Sequence, residues 1–131
     1  INLQKAEFIL SAASPKDFIR DELPQVAFAG RSNVWEYRQL KQEWKDLVSQ
    51  LCRPRPKTPL PYAMVTLEYY FKDRKRRDPD NYSGKMILDG LTESGIIVDD
   101  SFHHIDLQIR GRVDKKHPRT EITIQGVESL E

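Results

Sequence analysis

With 131 residues, 31% charged and 38% hydrophobic, the chain has the length for one domain with a modest core and enough apolar content to fold. A formal net charge of +1 excludes bulk charge as the basis of a nucleic-acid interaction, so any such role must lie in how the charges are distributed. No run of about 18 apolar residues offers a membrane span, and the opening INLQKAEFIL lacks the apolar core and cleavage site of a secretory signal. The lone Cys52 excludes an internal disulfide and a Cys-rich zinc site, and a reducing cytoplasm is the expected location.

In chain order, EFILSA (7–12) and QVAFAG (25–30) are predicted strands, with ASPKDFIRDELP between them as a loop bounded by prolines. VWEYRQLKQEWKDLVSQL (34–51) predicts a helix. Val34, Tyr37, Leu40, Lys41, Trp44, Leu47, Val48 and Leu51 recur at helical spacing, and Asn33 can cap its start. Trp35 and Trp44 are both expected to serve packing. RPRPKTPLP (53–61), with four prolines, is an extended connector. AMVTLEYYF (63–71) alternates as a strand does, placing Val65, Leu67 and Tyr69 on one face.

NYSGKMILDGLTESG (81–95) predicts a second helix with Met86, Ile87, Leu88 and Leu91 on its apolar side and Gly95 as its stop. IIVDD (96–100) is a short strand or extended arm. HIDLQIRGRV and RTEITIQGV are predicted strands joined across DKKHP as a hairpin. The sum is a single α+β domain: a mixed β-sheet with two main helices.

Charge concentrates in two places. Residues 72–77, KDRKRR, carry five cations against one acid, and so do residues 110–119, RGRVDKKHPR. The first run leads directly into Asp78-Pro79-Asp80. Pro79 biases Asp78 toward extended backbone, and residues two apart on an extended chain point the same way. Two converging carboxylates repel unless a cation lies between them. Mg²⁺ accepts such hard oxygens and completes its shell with water and phosphate.

Asp99 and Asp100 follow one helix later. If that helix doubles the chain back, either could join Asp78 and Asp80 as a third ligand. Lys85, between them, could neutralise phosphate charge or orient water. Arg76 and Arg77 would hold flanking phosphates. Each feature also has an ordinary reading: a D-x-D pair as a surface turn, a charge run as a solvated face, Lys85 as a helix surface residue. Adjacent His103 and His104 point to opposite faces of a strand and make a poor shared metal site. Cys52 has no evident catalytic partner and is expected to be inert.

From about residue 58 to 124, the strand, DRKRRDPDN, the Lys-bearing helix GKMILDGLTESG, IIVDD and the terminal strand pair resemble the RusA family of Holliday junction resolvases. WEYRQLKQEWKDLV fits the helix before that core. The resemblance implies a homodimeric nuclease that binds four-way DNA junctions and uses Mg²⁺ or Mn²⁺. Its acidic residues fall on Asp78, Asp80 and Asp100 and its essential lysine on Lys85, with one extra residue between Asn81 and Lys85. The basic segments 74–77 and 110–119 would then track the DNA arms, through Arg74, Lys75, Arg76, Arg77, Arg110, Arg112, Lys115 and Lys116.

Residues 2–34 instead resemble the start of the YihA/EngB GTP-binding proteins, as after a fusion near Val34. The chain continues into WEYRQL where those proteins carry the Gly-Lys-Ser of the phosphate loop, so GTP binding is not expected. The alternatives are a branched-DNA-binding module without catalysis, a nuclease for other branched DNA, and a small interaction domain whose Asp pair is only a charged turn.

Overall fold

The computed structural model describes residues 6–13, 31–53 and 55–130; the strand predicted at 25–30 and the loop at 14–24 lie outside them. Among the described residues four strands, β1 (Ala6–Ala13), β2 (Ala63–Phe71), β3 (Ile105–Val113) and β4 (Arg119–Val127), form one sheet in the order β1-β4-β2-β3. Helices α1 (Arg31–Leu51) and α2 (Lys85–Glu93) complete the mixed α+β arrangement. No helix among the described residues is long and apolar enough to cross a membrane.

β2 organises the sheet. Its residues alternate strictly between buried and half-buried, with Ala63, Val65, Leu67, Tyr69 and Phe71 turned to the core. Such a strand has one face committed to apolar packing, and its backbone N–H and C=O groups need partners along both edges. β4 supplies one edge, antiparallel, and β3 the other, parallel. The predicted β3–β4 hairpin is therefore not formed: β2 lies between those strands, and the DKKHP connection crosses the end of β2, where the Asp114 N–H donates to the Phe71 carbonyl at 2.8 Å. β3, exposed over most of its second half, takes the edge. Its parallel pairing with β2 is possible because α2 provides the crossover.

The core is built from the apolar stripes read in the sequence. α1 contributes Leu40, Trp44 and Val48, α2 contributes Met86, Ile87 and Leu91, and β4 contributes Ile122 and Ile124. The two helices approach closely at Gly90, where a Cβ would sit 3.4 Å from the Val48 side chain. Lys41–Asp89 and Lys45–Glu93 pairs, at 3.8 and 3.4 Å, bridge them at the surface.

α1 begins at Arg31, so Asn33 lies within the helix and is not its cap. α2 starts only at Lys85: Pro79–Tyr82 form a separate 3-10 turn, and Gly84, at φ +77, divides the two. Gly95, at φ +76, ends the second helix as expected. The 96–98 arm then returns to Leu60, with Leu60 N–H bonded to Ile96 O and Val98 N–H to Leu60 O.

Trp35 departs from expectation. Trp44 is fully buried, whereas Trp35 is 64% exposed. At about 100° per residue, nine positions turn a helix by two and a half revolutions, so the two indoles point to opposite sides. We predict that Trp44→Ala lowers unfolding stability by about 3–5 kcal/mol, and Trp35→Ala by no more than about 0.5 kcal/mol. Urea denaturation of both variants checks this; equal losses would contradict the packing described.

Candidate metal and nucleic-acid site

Past Phe71 the chain leaves the sheet as the basic loop, and internal contacts tie that loop down. One carboxylate oxygen of Asp73, Oδ1, accepts the Lys75 N–H at 3.0 Å and Arg77 Nη2 at 2.8 Å. Arg77 Nη1 donates to the carbonyls of Asp73 and Lys75 at 3.1 and 3.0 Å. The same guanidinium lies 4.4 Å over the Phe71 ring, and the side chain is only 15% exposed. The Asp73 carboxyl is held below the usual carboxylate range, first by the Lys75 N–H and then by Arg77. Arg74, Lys75 and Arg76 remain exposed.

A second anchor follows four residues after Asp78. The Tyr82 ring packs edge-on against Tyr69 and Phe71, with centroids 5.3 and 5.2 Å away, and fixes the 3-10 turn on the sheet. Asp78 and Asp80 thus sit between two pinned points. Asp78 is extended, at φ −100° and ψ 135°, as the following proline demands. Asp80 instead lies within the turn, so the two carboxylates do not share one extended segment. Both are exposed, and Arg76 Nε stands 3.4 Å from Asp78 Oδ1.

The two basic segments meet here. A hollow beside Asp78 is lined by Tyr82, Ile109 and Arg110, and another by Arg74, Lys75 and Arg112. Arg110 bonds Gln108 at 3.1 Å, and Arg112 pairs with Glu68 at 2.9 Å across to β2. Lys115 and Lys116 are exposed on the β3–β4 connection. Asp114 shapes that connection by accepting the Lys116 and His117 N–H groups, each at 3.2 Å, and Arg119 Nη1 at 2.9 Å. The Arg119 guanidinium lies 3.9 Å over Tyr70.

Lys85 opens α2, exposed and 3.8 Å from Asp89, a carboxylate that Lys41 approaches at the same distance. Asp99 and Asp100 lie elsewhere. α2 does double the chain back, but it delivers the 96–98 arm to Leu60, ahead of β2, and not to the loop beyond its end. The following turn enters β3 where the Ala63 N–H meets the His104 carbonyl. Asp78 borders the second half of β3, whereas Asp100 precedes its start. Among the described residues no three Asp, Glu, His or Cys side chains gather closely enough to hold a metal ion. One chain therefore brings Asp78 and Asp80 together on one loop without Asp100.

Asp99 and Asp100 also differ from each other. The Asp99 carboxyl is lowered first by the Asp100 N–H and then by the Ser101 hydroxyl, so it holds the turn, while Asp100 is exposed. His104 Nδ1 stands 2.8 Å from the Pro61 carbonyl and its ring stacks beside Tyr62. Cys52 is buried, and burial pushes its thiol up to about 11, which makes it unreactive. Asp73 was not among the candidates from sequence; an acid two residues before the amide it caps is its only local signal.

Comparison with known proteins adds two findings. The profile of the family described as endodeoxyribonuclease RusA matches residues 25–125, beginning before the 58–124 core singled out above. Short likenesses to proteins named "Probable GTP-binding protein EngB" also occur. The one from Pelobacter propionicus is 67% identical over 30 residues, 23% of this chain and 15% of that protein. The one from Streptococcus pneumoniae is 53% identical over 34 residues, 26% and 17%. The one from Oceanobacillus iheyensis is 31% identical over 75 residues, 56% and 38%. The chain thus spans well under half the length of these relatives, and the short matches to a segment are consistent with a fusion.

The carboxylates that shape these turns predict an acid response. Asp73, Asp99 and Asp114 all have folded values below their ordinary ones. Their contribution to stability is complete above the unfolded value of about 4 and is lost as pH falls below it. Tm should stay level from pH 7 to about 5 and fall below about 4, with a smaller acid drop in Asp114→Ala. A Tm that declined between pH 7 and 5 would point to other groups.

Proposed function

Since the chain belongs to the RusA endodeoxyribonuclease family, we propose that it is a metal-dependent endonuclease that resolves four-way DNA junctions by paired symmetric nicks. The observation that carries this reading is the placement of Asp78 and Asp80 on a loop pinned at both sides, one residue after three exposed cations. The donor set suits Mg²⁺ or Mn²⁺: exposed hard oxygens, few in number, leaving positions for water and phosphate. Such an ion would supply charge neutralisation at the phosphodiester and an activated water.

Asp78 and Asp80 are the proposed ligands from the loop. Asp100 is the proposed third, preferred to Asp99 because Asp99 is engaged in its own turn. Arg74, Lys75 and Arg76 would hold phosphates on one side of the cut, with Arg110, Arg112, Lys115 and Lys116 following the arm beyond it. The Lys85–Asp89 contact is long and exposed, so it costs little to break, and Lys85 can turn toward a phosphate. Arg77, by contrast, is already engaged inside the loop.

The separation of Asp100 from the Asp78 loop within one chain supports a homodimer in which each chain lends its Asp100 to the other's loop. A two-fold axis would make two equal sites, as paired nicks require. We assign the protein to the cytoplasm and give it no GTP-binding role, because WEYRQL stands where a phosphate loop would need lysine and a hydroxyl.

Incubation of a synthetic four-way junction with the protein and Mg²⁺ tests the reading. Symmetric paired nicks are expected, and Asp80→Asn should slow them by at least about 100-fold while junction binding persists. Binding without nicking in either Mg²⁺ or Mn²⁺ would replace the nuclease with a junction-binding module. No binding at moderate salt would leave the Asp pair as a charged turn.

A further inference from the structure

We propose that Asp73, acting through Arg77, is a positioning residue that clamps the 72–77 loop so that its three outer cations and Asp78 meet DNA in a fixed arrangement. This rests on the nuclease reading above. The four cations Arg74 to Arg77 are alike in sequence and unlike in the structure. Arg77 uses two of its nitrogens on three acceptors, namely the Asp73 carboxylate and the carbonyls of Asp73 and Lys75, and sets its guanidinium carbon over the Phe71 ring. That geometry joins the start of the loop to its end and to the sheet below. Arg74, Lys75 and Arg76 are left on the outer side of the arc, with Arg76 reaching Asp78.

The acid is what makes the device work. Asp73 Oδ1 accepts both the Lys75 amide and Arg77 Nη2, so one oxygen fixes the first bend of the loop and the orientation of the guanidinium. Without it, Arg77 would retain only neutral carbonyl partners, and charge-assisted bonds are roughly twice as strong as neutral ones. Flexible cations lose more conformational freedom on engaging phosphates than pre-set ones do.

A clamp and a bare charged surface respond to loss of Asp73 with opposite signs. Asp73 is the only acid in a segment with five cations. If the segment acted only as a charged surface, deleting that acid would strengthen DNA binding. If Asp73 is a clamp, deleting it weakens binding.

The experiment compares the parent with Asp73→Ala, Asp73→Asn, Asp73→Glu, Arg77→Lys and the Asp73→Ala/Arg77→Lys double variant. It measures junction affinity against salt, nicking with Mg²⁺, and, with no DNA present, the rate of trypsin cutting after residues 74–77. We expect Asp73→Ala to bind the junction about 5–20-fold more weakly and to be cut in the loop about 10-fold faster, with only a small fall in Tm because the loop lies outside the core and its exposed carboxylate contributes little. Asp73→Asn, which keeps an acceptor oxygen, should fall between, and Asp73→Glu should recover part of the binding. The double variant should be within about twofold of the worse single variant, since both remove one unit.

Equal or tighter binding by Asp73→Ala, unchanged trypsin cutting, or losses that multiply in the double variant would each overturn the clamp. A parent that bound no junction would remove the nuclease reading, and this proposal with it, whatever the trypsin result.

Discussion

The strict alternation of β2 is the constraint from which the rest of the molecule follows. One face of AMVTLEYYF is buried from Ala63 to Phe71, and the strand must be hydrogen-bonded along both edges. That requirement seats it between β4 and β3, sends α2 across the sheet as a crossover, and makes the β3–β4 connection pass over its end. It also presents Tyr69 and Phe71, at the end of the strand, as a platform. Tyr82 and Arg77 both come to rest on it, one edge-on and one through its guanidinium. The loop that holds Asp78 and Asp80 is therefore fastened to a strand paired along both edges.

Pinning separates two kinds of charge that composition treats as one. Arg77 and Arg119 are used internally, against Asp73 and against Asp114 with Glu121. Arg74, Lys75, Arg76, Lys115 and Lys116 are exposed. The internal pairs set the shapes of the two loops, and the exposed set gives a positive surface beside Asp78. An exposed contact such as Arg76–Asp78, at 3.4 Å, is worth little in water, so a divalent cation or a phosphate can displace it. A near-neutral protein can thus carry a locally cationic face suited to a polyanion.

Much of this was legible in the sequence, and the exceptions have physical causes. The stripe of α1, the alternation of β2, the apolar side of α2 and its glycine stop are local periodicities, and they survive folding intact. Strand order is not local: nothing within HIDLQIRGRV or RTEITIQGV says that AMVTLEYYF will insert between them. Trp35 was expected by residue type to serve packing, although its helical phase relative to Trp44 puts it on the far side. Among four adjacent cations, only the fold reveals which one reaches Phe71. Asp99 and Asp100 are equivalent in sequence until the turn claims one of them. The Asp78–Asp80 pair and the basic run were visible as a motif; the anchoring that gives them shape came from Asp73 and Tyr82, which carry no motif.

In the proposed nuclease, Asp78 and Asp80 of one chain work with Asp100 of another. Subunit mixing tests this directly. Asp80→Asn and Asp100→Asn should each be inactive on a four-way junction with Mg²⁺. Mixed in equal amounts and allowed to exchange, they should form heterodimers with one intact site, and single nicks should return at roughly a quarter of the parent's site number. If both variants were inactive and their mixture stayed inactive despite exchange, all three carboxylates would have to act within one chain, and the shared site would be wrong.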